Sequence, residues 1–313
     1  LIFSALAIEN SEYTSQWILN GETVSDATAF QFVSKDKGPH TLVYKANNEG
    51  GEFTKTYTIE ISYAFNNPYV TQLLDYKPAP GQFINASIGT LASAESLLGK
   101  TGLTTLGAWG GYVVLGFDHR VLDQTDKEDI VIYGNPQATL AEPAVVYVMR
   151  DENENGLADD TWYQVAGSEF SNEVRDYSVT YTRPDPITAD VPWTDNKGNS
   201  GVVKTNNFHK QAYYPEWITE STYTLSGSLL PSSNIDKSNS SFIKSLPFAF
   251  GYADNTVGGD KIDIANAVDA NGEKVSLKGI DFIKLQTGIQ ADLGWLGELS
   301  TEVAGVADLS LLK

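Results

Sequence analysis

The sequence predicts an all-β protein, with a small N-terminal β-sandwich followed by a larger, jelly-roll-like β-sandwich. Aromatic residues make up 11% of the chain, and threonine and valine are frequent, a composition that suits half-buried pleated surfaces. Polar turns rich in Gly, Asn, Asp and Ser interrupt the chain every ten residues or so, which is typical of sandwiches and barrels. The sequence pattern gives no alternation of strands with long helices, so an α/β fold is not predicted.

The length of 313 residues suggests about two domains. A connection rich in Pro, Asn and Gly marks the predicted boundary. We therefore assign residues 1–63 to a first domain, 64–82 to a packed linker and 83–313 to a second domain. Pro78 and Pro80 argue against regular structure in the linker, because proline lacks a backbone N–H.

The first domain contains two runs that alternate as strands do. Residues 56–62 place Tyr57, Ile59 and Ile61 on one face, and residues 40–46 form a second such run. A polar turn at 48–51 joins them as a hairpin. The pattern W-x-L-N-G, followed by G-x-H-T-L-V-Y-K-A-x-N-x-x-G, resembles PKD and bacterial Ig-like modules, in which a Trp packs beneath a strand.

The second domain is also rich in strand patterns. We predict one short helix at 91–98, opened by Thr90 and stopped by Gly99. The segments 184–216 and 226–241 have the composition of long polar loops. Strands are predicted at Gly111–Phe117, Asp129–Tyr133, Ala144–Met149 and Asp281–Leu285.

Charge and composition exclude several kinds of partner. Lys and Arg number 21 against 40 Asp and Glu, a formal net charge of −19, so we expect no nucleic-acid partner. The sequence contains no cysteine, which removes disulfides, thiolate catalysis and Cys-type zinc sites. The chain starts at Leu1 without a basic leader, and we interpret this as the loss of a signal or lipid anchor, which would be its sole link to a membrane.

The strongest local motif is an acidic run that resembles a calcium loop. Oxygen-bearing side chains at alternating positions, then a glycine and two more carboxylates, match the first part of the pattern D-x-[DN]-x-[DN]-G. Trp162 stands at the twelfth position, where that pattern has a bidentate acid, so the loop is incomplete. A plain hairpin tip is the alternative. The predicted calcium ligands are Asp151, Asn153, Asn155, Asp159 and Asp160.

Other acidic residues have weaker patterns. In the acidic stretch that also includes Asp260, Asp254 and Asp263 could ligate a metal, but capped turns are the simpler interpretation, and Asp269 begins a hairpin turn. Asp118-His119 invites a catalytic interpretation, yet the sequence has neither a G-x-S-x-G elbow nor an H-E-x-x-H motif. We therefore expect no enzyme. A glycan hydrolase remains an alternative, because 40 acidic residues leave many possible carboxylate pairs.

Aromatic residues in polar or Gly-rich loops suggest a binding surface. Flat rings stack on sugar faces or on a planar macrocycle, although large aromatics are also often buried at the ends of a sandwich. The candidate ligand-binding residues are Trp109, Trp193, Tyr213, Tyr214 and Trp217.

The second domain as a whole resembles a family of Bacteroidetes cell-surface lipoproteins that carry an N-terminal PKD or Ig-like module. The stretch that carries most of the resemblance runs from Leu106 to His119. Further matching segments are Ile132–Asn135, Ala141–Pro143, Asp151–Gly167, Tyr213–Pro215, Gly251–Asn255, Ile280–Phe282 and Gly294–Glu298.

That resemblance implies an outer-membrane lipoprotein facing the exterior, near TonB-dependent uptake systems, some of which import corrinoids. We expect a non-enzymatic surface receptor for a nutrient, either a corrinoid or a glycan, with a structural calcium ion and possible contact with a TonB-dependent transporter. The alternatives are the glycan hydrolase and a structural adhesin without a small ligand. Buried aromatic loops would favour the adhesin.

Overall fold

The computed structural model describes residues 1–5, 12–34, 36–62 and 67–312. These residues form two compact units, one over 1–66 and the other over 67–313. Strands dominate both units, so the predicted all-β class is confirmed. The single α-helix, α1, spans Leu91–Glu95, and 3-10 turns occur at Phe170–Asn172, Ile264–Asn266 and Gly294–Leu296.

The first unit is built around a four-stranded antiparallel sheet. Its strands in chain order are β1 (Ile2–Ser4), β2 (Thr14–Leu19), β3 (Glu22–Ser25), β4 (Ala29–Gln31), β5 (Gly38–Asn48) and β6 (Gly51–Ile61). The sheet order is β3-β2-β5-β6, while β1 pairs with β4. The predicted hairpin turn is confirmed, since β5 and β6 pair from Gly38 with Ile61 to Asn48 with Gly51.

Trp17 lies at the centre of this unit. Its ring is fully buried among Phe32, Leu42, Tyr44 and Ile59. Its indole Nε1–H donates to the carbonyl oxygen of Ala27 at 2.9 Å, which satisfies the one polar atom of the side chain. Trp17 is thus the central residue of the core of this unit, on the strand that pairs with the one containing Leu42 and Tyr44.

The second unit contains eighteen further strands among its described residues. They are β7 (Gln72–Lys77), β8 (Thr104–Thr105), β9 (Tyr112–Leu122), β10 (Ile130–Tyr133), β11 (Ala144–Met149), β12 (Trp162–Val165), β13 (Val174–Thr182), β14 (Val191–Asp195), β15 (Ser200–Val203), β16 (Thr222–Leu229), β17 (Ile235–Asp236), β18 (Lys244–Ser245), β19 (Tyr252–Ala253), β20 (Asp260–Ile262), β21 (Ala267–Val268), β22 (Gly279–Thr287), β23 (Glu302–Val303) and β24 (Gly305–Asp308).

A seven-stranded antiparallel sheet forms the middle layer of this unit. Its order is β21-β12-β11-β22-β9-β7, with β19 paired to β11. One face packs on the three-stranded sheet β20-β10-β24, and the other is covered in part by the four-stranded sheet β15-β14-β13-β16. Because both faces are covered, β11 is a continuous apolar run, and β22 is buried along most of its length although it contains Asp281, Lys284 and Gln286. A jelly roll has eight strands in two sheets, so the finer topology differs from that pattern.

Two sequence assignments change in this unit. From Asn67 onward the predicted linker belongs to the second unit, and residues 72–77 form its edge strand β7. The predicted loop 184–216 contains β14 and β15, and 226–241 contains the end of β16 and all of β17. Proline and glycine within these short strands hid their alternation, because both residues usually mark turns.

Candidate functional site

Trp193 is held by three neighbouring strands of the four-stranded sheet. On β14 it pairs with Tyr181 of β13 and with Gly201 of β15. A Cβ added to Gly201 would come within 2.5 Å of Trp193 Cζ2, so the ring lies directly against the glycine backbone. The strand pairing therefore fixes the plane of the indole ring, which is half-buried.

A cavity of about 130 Å³ lies beside this ring. Trp109, Tyr181 and Trp193 contribute aromatic walls, and Gln290 and Glu298 contribute polar ones. At its border Lys204 Nζ lies 3.2 Å from Asp292 Oδ2. Apolar faces with a few convergent polar groups are the usual lining of a small-molecule site.

Three side chains in this wall each keep one polar atom without a hydrogen-bond partner among the described residues. The atoms are Trp109 Nε1, Gln290 Nε2 and Glu298 Oε2, and all three are buried. Their companions have neighbours: Gln290 Oε1 lies 2.6 Å from the Tyr177 hydroxyl oxygen, and Glu298 Oε1 accepts from the backbone N–H of Gln82 at 2.6 Å. Each buried polar atom without a partner costs about 1–3 kcal/mol of folding stability. The presence of three such atoms in one cavity wall therefore indicates that the wall has a functional role.

The environment of Glu298 favours its neutral, protonated form. Burial raises its pKa to about 8, because no solvent stabilises the carboxylate, and the nearby carboxylates of Glu302 and Asp292 oppose ionisation further. Since Oε1 accepts a hydrogen bond, the acidic proton belongs on Oε2. The wall therefore contains three hydrogen-bond donors, on Trp109, Gln290 and Glu298, and each of them is buried behind the cavity lining in this structure.

A second depression, of about 380 Å³, shares Trp193 and Gln290 with the cavity. Tyr177 and Asp195 line it, and the Tyr177 hydroxyl donates to Asp195 Oδ2 at 2.7 Å. Trp193 thus stands between two adjoining concave surfaces.

The five predicted ligand-binding aromatics do not form one surface. Trp109, Tyr213 and Tyr214 have 0% exposed area, so they offer no free ring face to a ligand. Trp217 is 41% exposed, but it stacks on Tyr76 with ring centroids 6.0 Å apart, and it does not line the Trp193 cavity. Trp193 and the buried Trp109 are the two that the structure brings together.

The buried tyrosines have structural partners. The Tyr214 hydroxyl donates to the carbonyl of Glu220 at 2.8 Å, and the Tyr213 hydroxyl accepts from the backbone N–H of Asn206 at 3.2 Å. Both rings belong to the core beneath the four-stranded sheet. The prediction that this loop presents them to a ligand is therefore corrected, because burial of the rings outweighs their polar sequence context.

The predicted calcium loop is closed by its own hydrogen bonds. Asp151 Oδ1 and Oδ2 accept from the backbone N–H groups of Asn155 and Gly156, at 3.0 and 2.9 Å. The side-chain amide of Asn155 donates to both carboxylate oxygens of Asp159, and Asp160 Oδ2 accepts from the N–H of Glu152. The side-chain amide of Asn153 faces the carboxylates of Asp159 and Asp160 at 3.4 and 3.5 Å.

A buried ion pair anchors the start of that loop. Arg120 donates to Asp281 Oδ2 from Nε at 3.0 Å and from Nη2 at 2.9 Å. The same Arg120 Nη2 reaches the carbonyl of Asp151, and the Asp151 N–H donates to Asp281 Oδ2 at 2.9 Å. The first predicted ligand is therefore fixed to the sheet, whereas the later ones lie on an exposed tip.

Two clusters of three carboxylates in the described ranges could hold a metal ion. One contains Asp123, Asp129 and Asp263, and the other Glu142, Asp254 and Glu302; in each, ligand atoms lie within 4.8 Å of one another. Burial raises the pKa of Glu142 to about 8 and raises the pKa values of Asp254 and Glu302 strongly, and mutual repulsion adds to the shift.

Sequence patterns pointed to only part of these clusters. Asp254 and Asp263 were candidates, but Glu142 and Glu302 carry no motif, and they meet only through the fold. Asp269 accepts backbone N–H groups of Asn271 and Glu273, which confirms its predicted turn.

Asp118 and His119 belong to a hydrogen-bonded cluster that connects two strands. His119 is buried between two carboxylates, with Nδ1 2.7 Å from Asp118 Oδ1 and Nε2 3.0 Å from Asp308 Oδ2. Asp308 ends β24, so this contact joins the last strand to β9. The imidazole has both nitrogens occupied and offers none to a substrate, as expected for a structural role.

No family model matches this chain, and a search of curated proteins finds no match either. Among the residues described, no helix has the length and apolar character needed to cross a membrane.

Proposed function

We propose that the second unit binds the terminal part of a saccharide in the Trp193 cavity. The observation that carries this proposal is the set of three unpartnered polar atoms behind an aromatic wall. A sugar hydroxyl both donates and accepts, so it can pair with Trp109 and Gln290 N–H groups and with Glu298. A sugar ring face packs favourably on a flat indole such as Trp193.

Other ligand classes fit this wall less well. A quaternary ammonium ion has no acceptor for the N–H groups of Trp109 and Gln290. An anion meets Asp292 and a net charge of −19. A corrinoid macrocycle exceeds a cavity of about 130 Å³, and three of the five aromatics proposed to support it are buried.

Isothermal titration calorimetry with a panel of mono- and oligosaccharides tests the proposal, with cobalamin as a separate arm. We expect at least one saccharide to bind, and Trp193→Ala to weaken its affinity about tenfold or more through lost stacking. Trp217→Ala is the matched control and should bind as wild type does. Absence of saccharide binding at millimolar concentration contradicts the proposal, and binding of cobalamin alone favours the corrinoid receptor.

A glycoside hydrolase is the second candidate, favoured by one observation. Such enzymes need a protonated acid and an ionised carboxylate near the scissile bond. Glu298, with its raised pKa, and Asp292 line the same cavity. If the protein hydrolyses a saccharide that it binds, Glu298→Gln should remove the release of reducing ends while binding persists. Intact saccharide after prolonged incubation supports the receptor.

We also propose calcium as the ion of the Asp151–Asp160 loop. The loop offers several oxygen ligands within ten residues, and its first residue is fixed by Arg120 and Asp281. Chelation should lower the melting temperature of wild type, and calcium should restore it. Asp151→Ala is a poor test, because that carboxylate also accepts two backbone N–H groups. Asp159→Asn is sharper: it should remove the response to chelation, and an unchanged response contradicts calcium binding there.

The cellular setting that we propose is the outer-membrane surface, beside a TonB-dependent transporter. The support is the resemblance of the second domain to surface lipoproteins and the acidic surplus of the chain. Protease added to intact cells should degrade the protein, while a periplasmic marker stays intact. Protection of the protein until the cells are lysed contradicts this location.

A further inference from the structure

Lys284 occupies an unusual environment on the face of the central sheet. It lies on β22, directly across from Tyr147 of β11. Its Nζ stands 4.5 Å from the ring centroid of Tyr112 and 5.2 Å from that of Tyr147. In a chain with 40 acidic residues, Lys284 forms no ion pair or hydrogen bond within the described ranges.

The amine borders a cavity of about 410 Å³. Leu74, Asp75 and Tyr112 form one side, and Leu157, Asp159 and Trp162 lie on the other. Asp75 is occupied, because its Oδ2 accepts the Tyr112 hydroxyl at 2.6 Å. The cavity therefore contains a half-buried amine, a large aromatic wall and room for a small organic molecule.

We propose that Lys284 is a nucleophilic amine that takes small neutral aldehydes or ketones as a reversible imine. The carboxylates of Asp75 and Asp159 in the same cavity disfavour an anionic ligand, whereas a neutral carbonyl compound is not repelled. Trp162 and the leucines can cover the organic part of such a molecule. This site is separate from the Trp193 cavity and does not depend on saccharide binding.

The chemistry balances without a further reactant. The neutral amine attacks the carbonyl carbon and forms a C–N bond while the carbonyl π electrons move to oxygen. That oxygen takes two protons, both supplied in net terms by the amine nitrogen through solvent, and leaves as water. The product is an imine, and water reverses the reaction.

Two opposing effects act on the amine. Burial lowers its pKa to about 8, although the charge of Asp75 raises it. The faces of Tyr112 and Tyr147 also favour the ammonium form. Desolvation is the larger effect, since a fixed ring face replaces only part of the hydration that an ammonium loses. The titratable groups around Lys284 are thus Asp75 on β7, Tyr112 on β9, Tyr147 on β11 and Asp159 on the loop.

Reductive trapping on the full chain tests this inference. Propionaldehyde and cyanoborohydride are added at limiting concentration, and peptide mass spectrometry gives the modification rate of each lysine. At pH 7 we expect Lys284 to react about tenfold faster than the exposed Lys204, because burial lowers the pKa of Lys284. Its rate should level off near pH 8.

Lys284→Arg identifies the modified peptide, and near-ultraviolet circular dichroism checks that this variant is folded. Asp75→Asn provides a second test: loss of the negative charge should speed trapping at pH 7. Trapping of Lys284 at the rate of Lys204 or slower, or only after urea unfolding, overturns the proposal and leaves Lys284 a structural cation between two rings.

Discussion

At the residue scale, burial raises the pKa of Glu298 and leaves Nε2 of Gln290 without a hydrogen-bond partner among the described residues. Glu298 ends one of the segments that carry the family resemblance, but neither residue was predicted as a site residue, and their neighbours Gln82 and Tyr177 are more than 100 residues away in sequence. A local pattern contains no information about such a contact. Trp193, by contrast, was predicted from its residue type alone, because a Trp in a polar segment is rarely without a packing or binding role.

His119 should make the folding stability depend on pH. Burial lowers its pKa, but hydrogen bonds and charge interactions with Asp308 and Asp118 outweigh burial, and the net shift is upward. A raised pKa in the folded state stabilises the protein below the unfolded value of about 6.5, and that contribution is lost as pH rises through the folded value.

We therefore expect His119→Gln to lower the free energy of unfolding by about 1–2 kcal/mol more at pH 6 than at pH 9. Urea denaturation at both pH values measures this difference, with His209→Gln as the control. An equal loss at the two pH values would show that the imidazolium does not contribute.

The cluster of Glu142, Asp254 and Glu302 should also make stability depend on pH, in this case through buried carboxyl groups. Their pKa values are raised by burial, so the folded state keeps protons that the unfolded state releases above pH 4.5. Stability should then fall as pH rises from about 5 to about 8. In metal-free buffer we expect the melting temperature to drop by at least about 4 °C over this range.

Glu302→Gln removes one of the three buried carboxyl groups whose raised pKa makes stability fall as pH rises. This variant should match wild type near pH 5 and melt at a higher temperature than wild type at pH 8, with Glu52→Gln as an exposed control. Added divalent cation should raise the melting temperature of wild type at pH 8 more than that of the variant. A wild-type melting temperature that rises with pH contradicts the raised pKa values.

At the scale of elements, the hairpin of β14 and β15 orients the site. Gly201 permits the approach of the Trp193 ring, since a Cβ there would lie 2.5 Å from Cζ2. Gly201→Ala should displace the ring and weaken saccharide binding several-fold, while Ser200→Ala, at an exposed position of the same strand outside the cavity lining, should not. Calorimetry measures both variants. Unchanged affinity in Gly201→Ala would show that ring placement is not set by this pair.

Long, strongly alternating strands were the elements best predicted from sequence. The alternating runs in β5 and β6 have the period of two that half-buried strands impose, and β11 is the continuous apolar run typical of a strand covered on both faces. The short strands β14 and β15 were predicted as loop, because Pro192 and Gly201 carry turn-like chemistry. Tertiary pairing with β13 outweighs that local preference.

At the scale of the whole molecule, the three-layer arrangement of the second unit places the binding residues. Trp109 lies just before strand β9 of the central sheet, Trp193 belongs to the outer four-stranded sheet, and Gln290 and Glu298 follow the long strand β22. The cavity exists because these distant segments meet. Composition predicted the all-β class, but only the order of strands across layers determines which side chains share a wall.

The most direct test of the saccharide proposal follows the indole N–H groups during ligand titration. The chain has six tryptophans, each with one signal in a proton–nitrogen correlation spectrum. We expect the Trp109 and Trp193 signals to move, with Trp109 shifting downfield as its unpartnered N–H gains an acceptor. The signal of Trp17, bonded to Ala27, should stay in place. Shifts confined to Trp217 or Trp295, or no shift during saturable binding, would contradict a site at Trp193.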